Sequence, residues 1–174
     1  APTFRDNYSK VTPFSDKTLN KLNNYLKESN YLLLIKKHPL ERNLNIPPSL
    51  SNILDISKNI DDIQEILMYT DILITDYSSV SFDFSITNRP IIFYSYDYKE
   101  YLENCRDVYY DFYKTMPGPF ANNEEEMFEL VKHVDSWFFK KDYKLKYNLF
   151  RDKFNKYKDC NSSKRVIKLL YKRK

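Results

Sequence analysis

Apolar positions fall into two rhythms along this chain. Leu19, Leu22 and Leu26 recur at steps of three and four behind Ser15-Asp16, which predicts an amphipathic helix opened by a serine cap. Tyr31-Leu32-Leu33-Leu34-Ile35 is then an unbroken apolar run. Short continuous runs that alternate with helices indicate strands buried on both faces of a parallel sheet. The alternation continues with a weaker strand over Ile53–Ile56, a short helix from Asp61-Asp62 carrying Ile63, Ile66 and Leu67, and a strand over Asp71–Thr75. A helix over Ser79–Ile86 follows, and Pro90 opens the strand Ile91–Tyr94. Glu124-Glu125-Glu126 place negative charge where a helix N-terminus favours it, with Met127, Leu130, Val131 and Val134 as the buried stripe. The βαβα order predicts an α/β fold, a Rossmann-like, doubly wound parallel sheet with helices on both faces.

Beyond residue 138 the rhythm is helical only. Phe139, Tyr143, Tyr147, Phe150, Phe154 and Tyr157 recur at steps of three and four with lysines between them, and a second helix runs from about Ser162. The expected organisation is a domain over residues 1–138 and a basic amphipathic helical extension, 139–174, packed on it. Charge follows this division. Residues 1–139 hold 14 Lys/Arg and 21 Asp/Glu, a balance of −7, whereas residues 140–174 hold 14 and 3, a balance of +11. So basic an end points to an anionic neighbour. With 174 residues, 42% of them apolar and 17% aromatic, the composition is that of a globular chain. No apolar run approaches the ~20 residues that cross a bilayer. Cys105 and Cys160 lack metal or redox spacing, and no leader-like segment is present, so the expected location is cytoplasmic. The start at Ala1 reads as a piece of something longer.

In an open parallel sheet, ligands bind beyond the carboxyl ends of the strands. The groups that follow the predicted strands are Lys36, Lys37 and His38, then Asp76, Ser78 and Ser79, then Asp97. If the first residues end a further strand, Thr3 and Arg5 join the same edge. A helix N-terminus offers free N–H groups to a phosphate, serine hydroxyls add donors, and Arg5, Lys36 or Lys37 and His38 add positive charge. A Ser-Ser turn can reach a phosphate with side chains where other nucleotide folds use glycine, and Gly118 is the single glycine. Asp76, an anion, suits capping, orienting a serine, or accepting from a hydroxyl or cation. Each feature has a plainer reading: Asp-Tyr-Ser-Ser as a helix cap, His38 as a loop residue, His133 as a surface residue, Arg5 as a solvated end, and the Phe/Tyr stripe as packing.

Taken in order, Ala1-Pro2-Thr3-Phe4-Arg5-Asp6, Leu34-Ile35-Lys36-Lys37-His38-Pro39, Asp71-Ile72-Leu73-Ile74-Thr75-Asp76-Tyr77-Ser78-Ser79-Val80, Arg89-Pro90-Ile91-Ile92-Phe93-Tyr94 and Pro117-Gly118-Pro119 resemble the carboxyl-terminal half of the CDP-glycerol glycerophosphotransferases, the teichoic-acid and capsule polymerases. The resemblance covers about residues 1–135. It implies the carboxyl-terminal, donor-binding domain of a GT-B-like enzyme that takes CDP-glycerol or CDP-ribitol and extends a polyol-phosphate polymer. It assigns His38 to the donor pyrophosphate as the catalytic group, Ser78 and Ser79 to the phosphate-binding helix, and Arg5 to the family's Pro-Thr-aromatic-Arg motif; the strand-end reading adds Lys37 and Asp76 to the expected donor site. It implies no cofactor and no metal. The acceptor half, with a second histidine in a His-Gly motif, belongs to an amino-terminal domain, a partner this chain lacks. The expected setting is peripheral, at the inner face of the cell membrane.

Two other classes remain open on the residues. A GT-B glycosyltransferase would use a nucleotide sugar, with Glu124-Glu125-Glu126 as a ribose-contacting cluster. A non-enzymatic module would dock on a membrane or polyphosphate through the basic helices. Nucleic acid is not expected as a partner, since no nucleic-acid motif accompanies the charge.

Overall fold

The computed structural model describes Thr3 and residues 12–38, 44–104 and 109–171. Arg5 and Cys105 lie outside the described residues. The first helix, α1 (Asp16–Glu28), starts as predicted: the Ser15 hydroxyl accepts from the Thr18 N–H, and Leu19, Leu22 and Leu26 are buried. Asn23 is buried among them, and its side-chain oxygen accepts the Asn52 N–H at 2.9 Å. This bond ties α1 to the entrance of a strand.

Strands β1 (Leu33–Ile35) and β2 (Ile53–Asp55) pair in parallel. Strands β3 (Leu73–Thr75), β4 (Ile91–Tyr94) and β5 (Phe120–Ala121) form a second parallel sheet in that order. The expected parallel α/β layers are present, but among the described residues the strands form two sheets rather than one. The strands are also shorter than the apolar runs: Tyr31 and Leu32 are exposed and precede β1. Strand β5 has two residues and too little apolar sequence to stand out. It follows Gly118, whose φ of +69° lies in the left-handed region that a side chain disfavours.

β4 explains how the cores divide. All four of its residues are buried, as expected of a strand covered on both faces. Ile92 and Tyr94 join α1, β1, β2 and the helix α6 (Glu124–Lys132) in one core. Ile91 and Phe93 face the other way, toward Leu67, Leu73, Val80, Phe84, Phe112 and Tyr147. That second core is covered by α2 (Ile63–Leu67), α3 (Val80–Phe84), α4 (Tyr98–Asn104) and α5 (Phe112–Thr115). The stripe predicted to run through Val134 is interrupted. The helix breaks at His133, and α7 (Val134–Phe138) begins a new axis, with the Trp137 indole N–H bonded to the Leu130 carbonyl at 2.9 Å.

The extension divides into two unlike parts. α8 (Lys141–Phe154) buries Tyr147 and Phe150. Tyr147 donates its hydroxyl to the Arg89 carbonyl at 2.7 Å, and Phe150 and Phe154 lie 5.4 and 4.6 Å from the ring of Phe82 on α3. Asn155, past the end of α8, donates to the Phe82 carbonyl and the Ser85 hydroxyl. α9 (Ser162–Tyr171) buries none of its residues. Within the extension, α8 packs on the domain and α9 buries no residue. The apolar side of α9, with Val166, Leu169 and Leu170, meets no core.

Candidate functional site

The site is built where β3 gives way to α3. Thr75 and Asp76 are each 2% exposed. Asp76 accepts the Thr3 N–H at 2.9 Å to both carboxylate oxygens and the Thr3 hydroxyl at 2.6 Å. Two motifs 73 residues apart in sequence are therefore joined by one carboxylate. Among the open readings of Asp76, the structure selects an acceptor for a hydroxyl and an amide. It holds Thr3 just past the carboxyl end of β3.

Tyr77 locks the turn from the other side. Its hydroxyl donates to Asp97 at 3.0 Å, and its ring stacks on Tyr101 at 4.3 Å and meets Phe112 edge-on at 5.2 Å. Asp97 is 8% exposed, so the polar residue predicted after β4 acts as an anchor for the turn. Sequence reasoning missed Tyr77. The signal available was an aromatic inside a polar turn, where solvent exposure alone would not favour one.

Ser78 and Ser79 follow. The Ser78 carbonyl accepts from the Ser81 N–H and hydroxyl, and its own hydroxyl accepts weakly from the Val80 N–H at 3.4 Å. Ser79 stands at the cap position of α3 in helical conformation and makes no side-chain cap hydrogen bond. The reading of both serines as spare cap residues therefore fits Ser78 better than Ser79, whose exposed hydroxyl is left for another partner. α3 runs on into a turn of 3-10 helix, Ser85–Thr87, closed by Asn88 at φ 57°. Phe82 and Ser85 on this run are the residues gripped by α8, so the extension braces the helix beneath the Ser78-Ser79 turn.

His38 follows the carboxyl end of β1 and is partly buried. β1 and β3 border the same cavity, so His38 and the serine turn each follow a strand that walls it. The two lysines ahead of His38 are engaged elsewhere. The Lys37 ammonium lies 2.6 Å from Asp55 Oδ2 and donates to the Leu44 carbonyl at 3.0 Å. Burial, the largest single effect on Asp55, pushes its carboxyl up, but hydrogen bonds from Lys37 and Ser57 outweigh it and hold the group below the usual carboxylate range. Lys36 donates to the carbonyls of Ser57 and Ile60. Lys37, expected at the donor phosphates, thus stands in an ion pair with the neighbouring strand. A lysine two residues past a strand reached the nearest carboxylate on the paired strand, which is a packing outcome that spacing could not show.

The glutamate cluster is also committed. Glu124 accepts from the Ser15 N–H at 2.7 Å and from the Ser15 and Thr18 hydroxyls. Glu125 pairs with Lys21, and Glu126 accepts from the N–H groups of Asn122 and Asn123. These carboxylates cap α6 and tie it to α1, which removes the main support for a ribose-contacting acidic motif. Among the described residues, no three His, Cys, Asp or Glu side chains gather as a metal site would require.

Fold and site together define an α/β domain that presents hydroxyls and a histidine at strand ends. A family model described as CDP-Glycerol:Poly(glycerophosphate) glycerophosphotransferase matches residues 1–172, and the chain belongs to that family. It is 38% identical over 173 residues to the teichoic acid glycerol-phosphate primase of Bacillus subtilis (strain 168), covering 98% of this chain and 42% of the relative. It is 42% identical over 135 residues to the teichoic acid poly(ribitol-phosphate) polymerase of Bacillus spizizenii, covering 76% of this chain and 22% of that protein. Among solved structures, the wall teichoic acid polymerase TagF, in a histidine variant soaked with CDPG, superposes with a TM-score of 0.76 at 31% identity. That match covers 99% of this chain and 42% of TagF. The chain thus spans less than half the length of these relatives, and its architecture is that of part of a GT-B-like fold.

Proposed function

We propose that the chain is the donor-binding part of a transferase that moves glycerol phosphate or ribitol phosphate from a CDP-activated donor to a growing teichoic-acid or related polymer. The observation that carries this reading is the Thr3–Asp76 junction beside the Ser79 hydroxyl, in a chain that matches the family along residues 1–172. An acceptor hydroxyl oxygen attacks the phosphorus that bears the polyol. The new P–O bond forms as the P–O bond to CMP breaks, and CMP leaves with the electron pair. Charge grows on the leaving phosphate oxygens, where fixed donors and cations stabilise the transition state. Ser79, with Ser78 beside it, donates hydrogen bonds there, Arg5 adds charge, and His38 meets the developing charge or passes a proton to CMP. The acceptor-binding half of the site and the base that takes the acceptor's proton belong to an amino-terminal domain of the full-length protein.

The test has a binding arm and a rate arm. Thermal shift of the full-length protein is compared for CDP-glycerol, CDP-ribitol, CMP and UDP-sugars. Stabilisation by about 2.7 kcal/mol is expected at ~100 times the dissociation constant of the true donor. His38→Ala and the pair Ser78→Ala/Ser79→Ala should each lower polymer synthesis at least about 100-fold. Stabilisation by UDP-sugars alone, or near-normal kcat in both variants, refutes the reading.

We also propose that the basic end holds the protein to the anionic inner face of the cell membrane. No described helix is long and apolar enough to cross a membrane. α9 supports surface docking: Val166, Leu169 and Leu170 lie exposed on one side, and Lys164 and Lys168 on the other. Each lysine near such a surface contributes ~1 kcal/mol. Lys144, in contrast, sits 3.4 Å over the Phe138 ring and is turned to the protein. Binding to phosphatidylglycerol vesicles should weaken with salt and fall when Lys140, Lys164 and Lys168 are changed to Glu. Binding that survives both refutes an electrostatic attachment.

A further inference from the structure

Ser95 and Asn122 are the residues that follow β4 and β5, and they continue the pairing of Tyr94 with Ala121. The Ser95 N–H donates to the Ala121 carbonyl at 2.8 Å, which carries the ladder past the strand ends. Ser95 is 3% exposed. Its hydroxyl lies 3.2 Å from the Tyr113 hydroxyl and 3.4 Å from Asn122 Oδ1, and the Tyr113 hydroxyl donates to that same oxygen at 3.1 Å. Tyr113 belongs to α5, where packing asks only for its ring. The ring meets Tyr98, Phe112 and Phe120 at 5.0, 5.3 and 4.8 Å, contacts that a phenylalanine would also make. The hydroxyl is additional, and the residue is 41% exposed. Asn122 is exposed as well. Its side-chain oxygen faces the two hydroxyls, while its amide nitrogen makes one long contact, 3.5 Å to Glu126.

We propose that Tyr113 and Asn122, held in place by the buried Ser95, hydrogen-bond the hydroxyl groups of the donor's polyol. The inference rests on the CDP-polyol reading above and assigns the part of the donor that reading leaves without a partner. The chemistry of the rim selects the ligand. The Tyr113 oxygen has lone pairs that accept, and the Asn122 amide has a hydrogen that donates. One ligand hydroxyl satisfies both, because it donates and accepts at the same atom. An ionised phosphate has no hydrogen for Tyr113 and would stand beside Glu126, whose carboxylate accepts the Asn122 N–H at 2.8 Å. A cytosine ring would seek a flat aromatic face, whereas the Tyr113 ring is packed against three others. Position agrees with chemistry. The order β3-β4-β5 sets the pair on the same carboxyl edge as Ser78 and Ser79, and ligands of open parallel sheets lie along that edge. Adjacent strands stand ~4.8 Å apart, which separates the pair from the serine turn by about 5–10 Å. A donor with its phosphates at the serine turn extends its polyol across that span.

The test is ligand affinity of the full-length protein, read by calorimetry with CDP-glycerol, CDP-ribitol and CMP for the parent, Tyr113→Phe and Asn122→Ala. Tyr113→Phe keeps the ring packing, and Asn122→Ala keeps the backbone bond to Glu126, so both variants retain the local fold. Each should weaken the CDP-polyol that the parent binds by about three- to tenfold, the loss of one neutral hydrogen bond. CMP, which has no polyol, should stay within about twofold of the parent. Loss of CMP in step with the CDP-polyol overturns the proposal in favour of a nucleotide contact. Unchanged donor affinity in both folded variants overturns it and leaves the three side chains as a brace between α5 and the strands. Unchanged donor affinity with a raised KM for the polymer acceptor overturns it in favour of an acceptor contact. A parent that binds neither CDP-polyol refutes the donor reading itself and this proposal with it, whereas the other outcomes leave that reading standing.

Discussion

Thr3→Val is the sharpest perturbation of the site because it removes one oxygen and keeps the side-chain shape. In the native arrangement Asp76 accepts the Thr3 hydroxyl at 2.6 Å and the Thr3 N–H at 2.9 Å. A hydrogen bond to a charged group contributes about 1.5–3 kcal/mol, and a buried acceptor left short of a donor costs a similar amount. Thr3→Val should therefore destabilise the domain by about 1.5–2.5 kcal/mol. Thr3→Ser should restore most of the loss. Asp76→Asn keeps one carbonyl acceptor but discards the charge, and the double variant should fall short of the sum of the singles by about 1 kcal/mol or more. Urea unfolding of the four proteins gives the cycle. The same variants in the full-length enzyme should lower kcat/KM, since Arg5 follows Thr3 by two residues. A Thr3→Val protein within about 0.5 kcal/mol of the parent, with unaltered kcat/KM, would refute the claim that this junction assembles the site.

Two tyrosines on α8, Tyr147 buried and Tyr143 partly buried, should respond differently to loss of the hydroxyl. Tyr147→Phe breaks a 2.7 Å bond to the Arg89 carbonyl and should cost about 1–1.5 kcal/mol. The Tyr143 hydroxyl is buried near the Ile91 backbone without a partner in hydrogen-bond geometry, so Tyr143→Phe should be neutral or stabilising; equal losses in urea unfolding would contradict this. Burial pushes the Glu124 carboxyl up, but bonds from Ser15 and Thr18 outweigh it and set the group below the usual glutamate range. A depressed folded value means that the stabilisation is present above the unfolded value of about 4.3 and is lost as pH falls through the folded one. Glu124→Gln should accordingly separate from the parent at pH 7 and converge with it below about pH 4; a gap that does not change with pH would defeat the assignment.

What the sequence disclosed was periodic or local. Leu19, Leu22 and Leu26 lie at helical spacing and do form the buried face of α1, because a helix face must be apolar to pack. Ile91–Phe93 are continuous and do form a strand buried on both faces. What stayed hidden depended on distance in sequence. Nothing near Lys37 announces that Asp55 is its partner, and nothing near Glu124 announces Ser15. Both pairs follow from which elements lie side by side, and a long charged side chain takes whatever opposite charge the packing brings within reach. β5 was invisible for a different reason, since two residues carry no period.

The same contrast bears on how the site works. Of the residues expected at the donor, Asp76 is tied up by Thr3 and Lys37 by Asp55, while Ser79 leaves its hydroxyl without a cap partner. A phosphate arriving at this edge would thus meet hydroxyl donors backed by a rigid frame, with carboxylates already satisfied inside it. That frame extends to the far end of the chain: Tyr77 pins the turn to Asp97, and Phe82 pins α3 to Phe150 and Phe154 on α8. An electrostatic site gains from donors that need no rearrangement when charge develops. The role of α8 is to supply that rigidity from behind, which leaves α9, alone among these helices in burying nothing among the described residues, as the part of the extension available to another surface.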